Sequence, residues 1–150
     1  MINSNDFDTG VFKLPQDKFG DFNSFITEDE QKRALYEILG FDFANDLWDK
    51  QNDPEYAKLI DGFDELRGLK FYLKCKTFYD FVTYLTTFQT KSGENSLEVA
   101  GEGITYPINA VKLYNQGVEE ARKIRCYIRN HHDDYDVEMK GCQPYYQSLI

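Results

Sequence analysis

The stretch LKFYLKCKTFYDFVTYLTTFQT, Leu69 to Thr90, decides the fold. Phe71, Cys75, Phe78, Val82 and Leu85 recur at intervals of four, three, four and three, the spacing of one face of an α-helix. Tyr72, Leu73, Tyr79, Phe81, Tyr84 and Phe88 flank that stripe, so the apolar surface spreads well beyond a single seam and predicts a central helix packed on several sides. At 1.5 Å per residue such a helix is roughly 30 Å long, enough to span a small domain.

The neighbouring segments read as helices that cover it. Thr27-Glu28-Asp29-Glu30 has the form of a capping box, in which the Thr hydroxyl and the Glu30 carboxylate satisfy each other's backbone N–H groups. Leu35, Ile38 and Leu39 give the short stripe that follows, and Gly40 supplies a helix stop. Phe43, Leu47 and Trp48 continue at helical spacing as far as Asn52-Asp53-Pro54. There Asp53 as N-cap and Pro54 at the first helical position open a third short helix carrying Tyr56, Leu59 and Ile60, closed by Gly62. Pro107 opens a second long helix running to about Asn130, with Val111, Tyr114, Val118, Ala121, Ile124 and Ile128 on one face and Glu119 set to pair with Lys123. Gly117 inside that face weakens the helix by about 1 kcal/mol relative to Ala, which predicts close approach of another helix at that point.

Between the two long helices, TKSGENSLEVAGEGITY has three glycines and no helical period. It reads as a loop or small hairpin, a partner-binding excursion over residues 90–106. The expected fold is therefore all-α: a bundle of about five helices with two long antiparallel members, that excursion between them, and extended termini. The division is an N-terminal arm at 1–26, a helical domain at 27–134 and a C-terminal tail at 135–150. The arm carries Phe7, Val11, Phe12, Leu14, Phe19, Phe22 and Phe25, too apolar a load for a loose tail. Both tails are expected to be held by neighbouring subunits, with few of their residues on their own core.

A length of 150 residues suits one domain with a single core, and 41% hydrophobic with 29% charged residues excludes disorder throughout. Aromatic residues reach 16%, which suggests contact surfaces as well as core. Residues 1–66 carry 6 basic and 16 acidic side chains, whereas residues 67–150 carry 11 and 10. That balance disfavours non-specific DNA binding, because duplex affinity comes mainly from Lys and Arg at phosphates. An acidic wall would instead let DNA pass without adhering. Lys70, Lys74, Lys76 and Asp80 interrupt the most apolar segment, so no membrane span is expected.

Catalytic and metal patterns are weak. Cys75, Cys126 and Cys142 form no CxxC pair, and reduced thiols in a cytosolic fold are the expectation. His131-His132-Asp133-Asp134, with Asp136 and Glu138, offers metal-ligand types, but adjacent histidines on a helix diverge by about 100°, which favours a solvated helix end. No phosphate-loop, dinucleotide or serine-hydrolase motif occurs. The expectation is no catalysis, no metal and no cofactor. Arg67, Lys70 and Lys74 share a face at the start of the central helix, where they either pair with the acidic first half or meet an acidic neighbour. With Thr90, Gly93, Leu97, Val99, Ile104, Tyr145 and Tyr146 they form the candidate partner-binding set.

Over about residues 25–130 the order of elements resembles the head-to-tail connector proteins, the neck or adaptor ring, of tailed bacteriophages, particularly those of phages infecting Bacteroidetes hosts. The resembling features are Tyr36-Glu37-Ile38-Leu39-Gly40, Glu55-Tyr56-Ala57-Lys58-Leu59-Ile60-Asp61-Gly62, Gly68-Leu69-Lys70, Phe78-Tyr79 to Tyr84, Thr90-Lys91-Ser92-Gly93, Asn115 and Tyr127-Ile128. The resemblance implies a small α-helical subunit made in the host cytoplasm and built into the virion neck. Its implied partners are copies of itself in a ring, the portal, and other neck or tail proteins, with DNA only as cargo in the lumen and no membrane. The rival readings are a small soluble cytosolic adaptor or inhibitor and, less favoured, a metal-dependent enzyme using His131 and His132.

Overall fold

A computed structural model describes residues 1–14, 17, 19–92 and 105–139. Six α-helices are present among them: α1 (Phe19–Phe22), α2 (Glu28–Leu39), α3 (Phe41–Asp49), α4 (Pro54–Asp61), α5 (Leu69–Ser92) and α6 (Thr105–Asn130). Short 3-10 turns at Ser4–Phe7, Gly10–Phe12, Asn23–Phe25 and His132–Asp134 complete the order. The chain is an all-α bundle around α5, which buries Leu69, Tyr72, Leu73, Cys75, Phe78, Phe81 and Val82 on more than one side.

The long helices are antiparallel and in close contact. Arg67 and Gly68 meet Glu120, Cys75 meets Gly117, and Tyr79 meets Tyr114, so position falls along α6 as it rises along α5. A Cβ added at Gly117 would lie 2.6 Å from the Cys75 Cβ, so only glycine lets the two backbones come this near. The helix boundaries correct the expected 90–106 excursion: α5 runs through Ser92, and α6 begins at Thr105, two residues before Pro107. Proline is tolerated there because the first-turn N–H groups of a helix have no intrahelical acceptor. Gly93, Leu97, Val99 and Ile104 lie outside the described residues, as do Tyr145, Tyr146 and Cys142.

The short helices begin and end largely where their capping residues dictate. The Thr27 Oγ1 accepts from the Glu30 N–H at 3.3 Å, and Asp53 accepts from the Glu55 N–H with Pro54 opening α4. The Glu30 carboxylate, expected to close the capping box, instead meets Arg33 at 3.2 Å. Gly40 and Gly62 end α2 and α4 at φ of 79° and 93°, a conformation that a side chain would strain. The expected Glu119–Lys123 pair is also replaced, since Glu119 lies 3.5 Å from Arg122.

The N-terminal arm departs most from expectation. It is folded back on its own subunit: Ile2, Phe7, Phe12, Leu14 and Phe22 are all buried in the common core. The Phe12 ring lies 6.0 Å from those of Phe71 and Phe78, and the Phe22 ring 5.1 Å from that of Phe81. The reason is the apolar circumference of α5, which α2, α4 and α6 do not cover completely. Buried Gln31 fastens the arm, accepting from the Ile2 N–H at 2.9 Å and donating to the carbonyls of Ile2 at 3.0 Å and Ile26 at 2.8 Å. The start of the expected C-terminal tail is likewise core: Tyr135 is buried with its ring 5.3 Å from both Phe43 and Tyr56.

Candidate functional site

The start of α5 gathers Arg67, Lys70 and Lys74 of the candidate set. Gly62 to Gly68 is a tight turn, held by reciprocal Phe63 and Leu66 backbone hydrogen bonds, with Asp64 at φ 50°. A Cβ at Gly68 would sit 2.5 Å from the Gly62 nitrogen, so the two glycines let the α4 end and the α5 start touch. Buried Glu120 of α6 reaches into this turn, and its Oε1 accepts from the Arg67 N–H at 2.5 Å and the Gly68 N–H at 3.1 Å. A carboxylate at the positive end of a helix dipole, accepting otherwise orphaned N–H groups, locks α5 to α6.

Around that lock the three cations are engaged within the chain. The Arg67 guanidinium stacks 4.6 Å from the Phe71 ring centre and approaches Gln116 Oε1 at 3.4 Å. Lys70 pairs with Asp61 at 2.7 Å, which is the acidic-first-half partnership that charge division allowed. Lys74 lies 5.3 Å over the Phe12 ring of the docked arm. The structure therefore brings Arg67, Lys70 and Lys74 together as a seam between elements, while Thr90 belongs to the last turns of α5 at the far end of the bundle.

A second polar network ties α3, α4 and the segment after α6. Lys50 bridges Asp46 at 2.8 Å and Asp136 at 2.7 Å, and the Tyr56 hydroxyl donates to Asp46. Burial pushes the Asp46 carboxyl up, but the Lys50 and Tyr56 hydrogen bonds outweigh it and hold it below the ordinary aspartate range. The Asp136 and Asp46 hydrogen bonds raise the Lys50 ammonium in turn. Glu120, Gln31 and this network were not among the sequence candidates. The signal for Glu120 and Gln31 is a polar residue inside an apolar helical register, Glu120 between Gly117 and Ile124 and Gln31 four residues before Leu35.

No family model, curated protein or solved structure matches the chain. Cys75 is buried, and that burial pushes its thiol up to about 12, where little nucleophilic thiolate exists near neutrality. His131 stacks on Tyr127 with Nδ1 2.9 Å from the Tyr127 carbonyl, and His132 Nδ1 lies 3.3 Å from the Arg129 carbonyl. Both imidazoles thus cap the exposed end of α6, and no metal-holding group of three or more ligand side chains occurs among the described residues. A depression of about 190 Å³ near them is lined by Ile128, Arg129, His132, Tyr135, Val137, Glu138 and Met139. None of the described helices is long and apolar enough to cross a membrane.

Proposed function

We propose that this chain is a structural virion protein, a subunit of the neck ring that joins head to tail in a tailed bacteriophage. The observation that carries the reading is the α5–α6 hairpin. Its register pairs Cys75 with Gly117 and Tyr79 with Tyr114, so Thr105 stands level with about residue 87 and α5 continues some five residues further. A helical hairpin of this kind, with one member longer than the other, offers a neighbour a contact that does not require the subunit to unfold its own core. Acidic residues concentrated in residues 1–66 suit a subunit beside DNA that must slide rather than stick.

Purified phage particles carrying this chain, digested and analysed by mass spectrometry with immunogold labelling, test the reading. The expected result is the chain as a stoichiometric component labelled at the head–tail junction. Its absence from particles, with recovery on a host protein instead, would replace the ring subunit by a soluble adaptor.

A further inference from the structure

The outer surface of α6 is cationic and α2–α3 is acidic, and no ion pair joins the two among the described residues. Lys112, Arg122, Lys123, Cys126 and Arg129 are exposed on α6, with Glu119 their only exposed acidic companion on that helix. At 100° per residue these positions fall within a band about 120° wide, centred opposite the buried Ala110, Gly117, Ala121, Ile124 and Ile128. Among the described residues Lys112, Lys123 and Arg129 enter no ion pair, while Arg122 meets Glu119. Buried Arg125, on the flank of α6 beside the band, donates to the Ile38 carbonyl at 2.7 Å, so α2 packs on that flank and leaves the band itself exposed.

Residues 28–49 carry seven acidic and two basic side chains. Lys32 and Arg33, the two bases, are already paired with Glu28 and Glu30. Asp29, Asp42 and Asp49 are exposed and in no ion pair among the described residues. Next to Asp42, Phe41 is 65% exposed, its ring 4.9 Å from that of Tyr36. An exposed aromatic ring beside Asp42, on helices that also carry Asp29 and Asp49, has the composition of an interface with guanidinium and ammonium groups.

We propose that the α6 band of one copy docks on the α2–α3 face of the next, a head-to-tail contact deepening the ring reading, on which it rests. Because the two faces differ, each copy offers both halves and the contact repeats, as a ring requires. From Lys112 to Arg129 the band is about 26 Å long and about 10 Å wide, well under the roughly 800 Å² per partner of a stable pair. A single contact of this size is weak and salt-sensitive, and gains strength when many close together.

Sedimentation of the full chain at about 20 mM and about 500 mM salt tests it, since screening shortens from roughly 20 Å to about 4 Å across that range. The expected result is association that grows with protein concentration at low salt and disappears at high salt. The triple variant Lys112→Glu, Lys123→Glu, Arg129→Glu, and separately Asp29→Lys, Asp42→Lys, Asp49→Lys, each lose association while keeping the helical circular dichroism spectrum. Mixed, the two variants associate again, because every reversed band then faces a reversed acidic surface. A wild-type chain monomeric at both salts, or a mixture that stays monomeric, overturns the contact. So does retention of duplex DNA by the wild type that the first variant alone loses. Each of these results leaves the chain's presence or absence in phage particles unchanged, so the contact and the ring reading fail separately.

Discussion

Gly117 sets two physical tendencies against each other at one position. Helix propensity favours alanine over glycine in a helix interior by about 1 kcal/mol, and an exposed position would gain that much. Here a new Cβ meets the Cys75 Cβ at 2.6 Å and comes within 3.6 Å of the Tyr72 carbonyl, so the helices must part or the backbone shift. Overpacking of this kind destabilises by about 1–3 kcal/mol, which exceeds the propensity gain. Gly117→Ala should therefore lower the urea midpoint, and in a double-mutant cycle that loss should shrink in a Cys75→Gly background but persist in a Cys75→Ala background, which keeps the Cβ. A Gly117→Ala chain more stable than the parent would mean that the two helices are not held this close. The same contact explains why Cys75 is a small packing residue rather than a reagent, with its thiol driven up by the burial that α6 imposes.

At the level of elements, the arm before α2 is held by aromatic packing on α5 and by the three hydrogen bonds of Gln31. Removing that amide leaves the Ile2 N–H and two carbonyls without the side chain that satisfied them, at about 1–3 kcal/mol for each buried group. Gln31→Ala should free residues 1–14 to amide exchange and proteolysis, while the α5–α6 pair, joined by Glu120 and Gly117, keeps its protection. Hydrogen exchange read by mass spectrometry distinguishes this from uniform loss of protection, which would make the arm inseparable from the bundle. The helices themselves were legible because apolar spacing and capping residues act locally: Asp53-Pro54 opens α4, Gly40 and Gly62 close α2 and α4, and the run from Leu69 builds α5. The arm's destination was not, since seven apolar residues declare that they must be covered without saying by whom. Likewise the spacing of Arg67, Lys70 and Lys74 predicts one face of a helix, but Arg67 lies in the turn before α5, and the engagement of the three with Phe71, Asp61 and Phe12 depends on contacts across the fold. Glu120 escaped notice because a glutamate's partners here are backbone N–H groups fifty-two and fifty-three residues away.

Taken as one body, the described part of the molecule keeps its cohesion at the α4–α5–α6 seam and around the arm. That arrangement predicts separable folding and assembly. Residues 93–104 join Ser92 to Thr105. Those helix ends differ by about five residues of rise, roughly 7 Å, and by an interaxial distance of about 8–10 Å, so the gap is about 12 Å. A Gly-Ser linker of about six residues spans it without strain. Replacing residues 93–104 with such a linker should leave the helical spectrum and cooperative unfolding nearly unchanged, because the Glu120 and Gly117 contacts that join α5 to α6 and the docked arm are all kept. Incorporation into phage particles should fall to background, measured by supplying the variant in place of the parent chain and assaying head–tail joining. Loss of the cooperative transition would mean that the segment folds with the core rather than serving a neighbour. A folded variant that still joins heads to tails would move the partner contact off the hairpin end and onto the surfaces of α6 and α2–α3, where charge reversal is the decisive perturbation.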